Sequence, residues 1–190
     1  MTTPNPLSRP LVATATALFV AGVVTGTSTY LARSDAPVVH HDGTSAWAVH
    51  LVLTALAAGA VVVLAARGRL RATLLAPLGR SAGRRVRLTL RTAARRPGAA
   101  LRALVAVPFA ALFLYGFWRA GEQVVAGLDP HFTADAWGGP SYLGAMYCHY
   151  LDGALLMAVA ALALHGLLLG RGVLRTGVRT SSGVGMVEAG

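Results

Sequence analysis

Three side chains set in otherwise apolar sequence have the means to do chemistry: His50, His149 and Asp152. His149 and Asp152 are three residues apart, so in a helix they project from one face. An ionisable group in a membrane span is costly and normally turns inward to a partner, and His149 is the local partner this spacing offers Asp152. His50 opens a second apolar stretch, and three chemistries suit the trio. Facing each other, His50 and His149 would give a haem b its two axial imidazoles between helices. Together with Asp152 they would make a nitrogen and oxygen donor set for Zn or Cu. Asp152 as the titrating group would serve a proton relay, as in a small proton-coupled transporter or transporter subunit. The plainer alternative is a hydrogen-bonded pair that fastens helices and binds nothing.

Other polar residues surround this trio. His40, His41, Asp42, Asp129, His131 and Asp135 fall in the connections next to it, while Arg119 and Glu122 are spaced for an i,i+3 ion pair at a span end. His165 follows His149 by sixteen residues, which turns it to nearly the opposite face and puts it roughly 24 Å deeper. It is expected to hydrogen-bond near the far interface instead. Cys148 is the only cysteine, so no disulfide forms within the chain, and it reads as a small buried apolar residue.

The elements that position these groups are membrane spans. With 55% hydrophobic and 13% charged residues and a mean hydropathy of +0.58, the composition is wrong for a water-soluble domain. Four apolar stretches are long enough to cross a bilayer, at about residues 11–32, 46–66, 101–120 and 146–169. Arg9 before the first suggests a signal peptide, but the stretch is too long for one and lacks a cleavage site, so a retained span is expected. Gly22 and Gly26 make a G-x-x-x-G that admits another helix closely, and Pro108 lies inside the third stretch as a possible kink. The short segment 33–45 predicts a tight hairpin of the first two spans. Trp137, Tyr142, Tyr147 and Tyr150 suit a headgroup belt.

Orientation comes from arginine. Residues 67–100 hold ten arginines and no acid, and this block accounts for the whole net charge of +10. By the positive-inside rule that connection is cytoplasmic, as are both termini, with Arg9 at one end and Arg171, Arg175 and Arg179 in a flexible tail, 171–190, at the other. Within the block Arg80, Arg84, Arg87, Arg91 and Arg95 recur at helical spacing up to Pro97–Gly98. They predict an amphipathic helix lying on anionic lipid headgroups, with Val86, Leu88 and Leu90 towards lipid. No aromatic residue interrupts the block to stack on a base, so nucleic acid is not an expected partner.

A repeat is also legible. Arg9-Pro-Leu-Val-Ala and Ala17-Leu-Phe-Val-Ala-Gly22 resemble Arg102-Ala-Leu-Val-Ala and Ala111-Leu-Phe-Leu-Tyr-Gly116, and the segments 45–50 and 144–149 both end in histidine. Two repeated helical hairpins would follow. The absence of lysine and isoleucine beside abundant Ala, Gly, Arg, Leu and Val points to a GC-rich bacterial genome. No nucleotide-binding or hydrolase signature is present. The expectation is a single all-α domain, 1–190, forming an integral four-helix bundle of the bacterial cytoplasmic membrane. Its function reads as non-enzymatic, an accessory or structural component contacting lipid, a membrane partner or its own copy. The rivals are a haem or metal redox protein and a transporter.

Overall fold

The computed structural model describes residues 6–41, 43 and 46–170, so Asp42 and the tail with Arg171, Arg175 and Arg179 lie outside the described residues. The described chain is helical: α1 (Arg9–Leu31), α2 (Trp47–Ala66), α3 (Leu70–Leu75), α4 (Arg80–Ala93), α5 (Pro97–Ala126), α6 (Pro130–Thr133) and α7 (Tyr142–Leu167). An isolated antiparallel bridge, Leu7 to Gly79, is the one extended pairing among the described residues. Four of the helices, α1, α2, α5 and α7, are long and apolar enough to cross a membrane. They coincide with the four expected stretches.

Two ends differ from the sequence reading. Helix α5 begins at Pro97, since proline suits a first turn where its missing N–H costs nothing. The Pro97–Gly98 pair thus opens α5, whereas α4 has already ended at Ala93. At the other end α5 continues past residue 120 to Ala126 and carries Glu122 and Gln123 within the helix, both buried. Pro108 is accommodated inside it. Helix α7 starts at Tyr142, where the Ser141 hydroxyl accepts the Gly144 N–H at 3.2 Å as an N-cap.

Packing follows small residues. A Cβ placed on Gly22 would strike the Trp118 carbonyl, one on Gly26 the Glu122 carbonyl, and one on Gly121 the Phe19 carbonyl, so α1 and α5 meet backbone to backbone. That is the close approach the G-x-x-x-G predicts. Helix α5 then packs on α7, pinned by Tyr142 donating to the Val124 carbonyl (3.3 Å) and Tyr150 to the Ala120 carbonyl (3.2 Å). Helix α2 meets α7 through a short polar patch and exposes Val49, Leu51, Val52, Leu56 and Val62. The spatial order is therefore α1, α5, α7, α2.

This order corrects the expected hairpin of the first two spans: the partner of α1 is α5, where the glycine stripe of α1 is met by Gly121, whereas Gly59 of α2 faces no neighbour. The two hairpins of the proposed repeat are also unlike in packing, since α5 and α7 are neighbours along much of their length. The buried apolar residues are mostly alanines while the large ones face outward, as lipid rather than water would have it.

At the arginine-rich end, Ser8 N–H donates to Leu78 O (2.8 Å) and Arg80 N–H to Pro6 O (2.9 Å). Helix α4 packs on α5 with Thr89 buried, and the Thr89 hydroxyl accepts the Leu169 N–H at 2.9 Å. Arg80, Arg84, Arg87, Arg91 and Arg95 are all exposed, whereas Arg85 turns inward.

Candidate functional site

At the opposite end the fold gathers five of the six histidines. The first turn of α2 brings His50 against α7, and its imidazole is only 1% exposed. His50 Nδ1 lies 2.8 Å from the Ala46 carbonyl, which can only accept, so Nδ1 carries a hydrogen. Nε2 lies 3.1 Å from Asp152 Oδ2. Either Nε2–H donates to a carboxylate, or a carboxylic O–H donates to Nε2. In both forms the pair holds one shared proton and is neutral overall.

The pair is framed by aromatic and hydroxyl groups. Trp137 stands edge-on to the His50 ring with centroids 5.7 Å apart, and Trp47 stacks on Tyr147 at 5.8 Å. The Thr54 hydroxyl donates to the His50 carbonyl at 2.7 Å and also bonds the Tyr147 hydroxyl. Gly138, at φ +80°, lets the segment bearing Trp137 lie directly on the start of α7, where a Cβ would strike Gly144 and the Cys148 sulfur. Cys148 is fully buried there, as the sequence suggested.

Asp152 is thus partnered by His50 rather than by His149. The i,i+3 spacing puts His149 and Asp152 on one side of α7, but α2 supplies the nearer imidazole. His149 makes no hydrogen bond among the described residues and lines a groove between α5 and α7, which Asp152 also borders. No three His, Cys, Asp or Glu side chains group as a metal site among the described residues, so the structure brings together two of the trio and sets His149 apart.

Next to this site residues 36–41 are hydrogen-bonded to residues 131–135. His40 Nδ1 donates to Ala134 O at 2.5 Å, His41 N–H and Nδ1 bond the two Asp135 oxygens at 2.8 and 2.7 Å, and His131 Nε2 donates to Ala36 O at 3.1 Å. The His41 backbone N–H, then the His41 imidazole, hold the Asp135 carboxyl below the usual carboxylate range. Asp129 caps α6 by accepting the His131 N–H at 2.9 Å. Arg119 and Glu122 form the ion pair their spacing predicts, with Glu122 buried and the guanidinium over the Phe132 ring. At the far end His165 accepts from Arg85 at 3.1 Å, as an interfacial hydrogen-bonding residue would.

Set against protein families, curated proteins and solved structures, the chain matches none. The site's chemistry must be read from its geometry. Sequence reasoning missed the parts that α2 and α7 contribute jointly. Thr54 is four residues after His50, hence on the same helix face, and that spacing was the available signal. Gln123 was missed because the third span was ended at residue 120.

Proposed function

We propose that the protein is a non-enzymatic, multi-pass component of the bacterial cytoplasmic membrane, accessory or structural in role. In this reading α1, α2, α5 and α7 form an antiparallel four-helix bundle with both termini in the cytoplasm, and the His50–Asp152 contact with Thr54 and Tyr147 is the seam holding α2. One observation carries it: both ring nitrogens of His50 are already engaged, one by Ala46 and one by Asp152. A haem bound by His50 and His149, or Zn or Cu held by His50, His149 and Asp152, requires His50 to surrender one of these bonds. The exposed arginines Arg80, Arg84, Arg87, Arg91 and Arg95 support contact with anionic headgroups at the cytoplasmic face, each worth about 1 kcal/mol near the surface. The exposed apolar face of α2 leaves room for a membrane partner or a second copy.

The test is spectroscopic and elemental. Detergent-purified protein from haem-replete cells is expected to show no Soret band and no stoichiometric Cu, Zn or Fe. A band lost in both His50→Ala and His149→Ala, or one metal per chain lost in Asp152→Ala, would replace this reading with the redox one. A transporter reading is favoured by the single shared proton of His50 and Asp152. It requires proton flux in vesicles that Asp152→Asn abolishes.

A further inference from the structure

Between α5 and α7 runs a groove of about 370 Å³, near the lower end of the range of small-molecule sites. It lies between two helices long and apolar enough to cross a membrane, and Tyr115 and Leu156 on its wall are exposed. From Gln123 down to Leu112 it runs along twelve residues of α5, about 16 Å of helix. Its character changes along that length. At the histidine-rich end it is lined by Gln123, Arg119 and His149, and at the deep end by Leu112, Leu156 and Met157.

Gln123 is the telling residue. It is only 3% exposed and its side-chain amide bonds to no described residue; since no fully enclosed side-chain polar atom goes unpaired among the described residues, the amide keeps its access through the groove it borders. With so little of the side chain exposed, whatever occupies the groove is what the amide has left to hydrogen-bond. The His149 imidazole on the facing helix is likewise unbonded among the described residues. Amide and imidazole each both donate and accept, so the matching head must carry oxygen that can do the same. The charges favour a neutral head. Arg119 is offset by Glu122, and Asp152 shares its proton with His50, so neither an anion nor a cation would find an uncompensated counter-charge.

We propose that this groove binds a single-chain lipid with an uncharged hydroxyl head, the head held by Gln123 and His149 and the chain laid along Leu112, Leu156 and Met157. The test uses the full chain in phosphatidylcholine vesicles with a photoreactive diazirine-bearing hexadecanol. Matched probes with a carboxylate or a quaternary ammonium head serve as comparison. Labels are mapped by peptide mass spectrometry. The alcohol is expected to label residues 112–123 and 149–157 above the lipid-exposed face of α2. Gln123→Leu and His149→Leu should each lower labelling about threefold to tenfold, the value of one hydrogen bond. Gly153→Phe should abolish it: Gly153 lines the groove, and a Cβ there meets no atom within 4 Å, so the added side chain starts unobstructed and competes with the ligand for the groove. An unchanged elution profile of each variant shows that the helices still pack. Even labelling of all four long helices, stronger labelling by either charged probe, or full labelling of Gly153→Phe would overturn the proposal. None of these outcomes bears on the His50–Asp152 seam, whose own test reads metal and haem.

Discussion

At the residue scale, His50 is the ionisable member that α2 contributes to its seam with α7. It joins the two helices through Asp152, while its own carbonyl receives Thr54 and stands 3.5 Å from the Tyr147 hydroxyl. Removing one partner of a buried pair strands the other, which costs about 1–3 kcal/mol. His50→Ala and Asp152→Ala should therefore each destabilise the protein by that amount in mixed-micelle unfolding. The double variant should cost less than the sum, because neither group is then left alone. Interhelical hydrogen bonds in membranes average about 0.6 kcal/mol and reach about 1.7, and the coupling should fall in that range. Strict additivity of the two losses would show that the pair is not the seam. His149→Ala removes no hydrogen bond and is expected to change stability by less than about 0.5 kcal/mol.

At the scale of the element, α1 depends on glycine. Gly22→Leu would drive a side chain into the Trp118 carbonyl, and backbone cannot yield as a flexible side chain can, so α1 should separate from α5 at a cost of at least about 1–3 kcal/mol. Gly59→Ala is the opposite case. Its Cβ meets nothing within 4 Å in α2, and the gain in helix propensity should stabilise by about 0.5–1 kcal/mol. Thermal unfolding in detergent reads both, and a neutral Gly22→Leu would refute the backbone contact between α1 and α5. These helices were legible because apolar length and a G-x-x-x-G are local signals. Which helix α1 would meet was not, since the answer depended on Gly121, about a hundred residues away. The same holds for the site. His50 and Asp152 were both visible as costly polar residues, yet spacing along α7 favoured His149 for Asp152. Only the arrangement of α2 beside α7 decides between the two imidazoles. Gln123 stayed hidden because it lies beside a charged residue at a span end, where a sequence reads as already leaving the membrane.

For the whole molecule, the two ends are chemically opposite: histidines and acids tie the connections at one, arginines cover the other. The histidine end has a defined pH limit. The Asp135 carboxyl is depressed in the fold, so its stabilising contribution is complete above the unfolded value of about 3.9 and drains away as pH falls through the lower folded value. Hydrogen exchange of residues 36–41, after correction for the intrinsic rate, should rise as the pH falls through the acid range in which Asp135 takes up its proton. Asp135→Asn should raise it already at pH 7. In the proposed reading the arginine end sets the orientation, and Cys148 makes that measurable, because as the only cysteine it can be removed to give a clean background. In a Cys148→Ala chain, Val38→Cys lies in the connection that His41 ties to Asp135, and Thr73→Cys is exposed in α3 beside the basic helix. A membrane-impermeant maleimide applied to intact bacterial spheroplasts should label Val38→Cys fully and Thr73→Cys only after lysis. Neutralising Arg80, Arg84, Arg87, Arg91 and Arg95 to Gln should then leave part of the population labelled at position 73 without lysis, because under the proposed topology an excess of positive charge near the span ends is what biases this end inward. Labelling of Thr73→Cys in intact spheroplasts of the otherwise unaltered chain would invert the topology and place the His50–Asp152 pair near the cytoplasm.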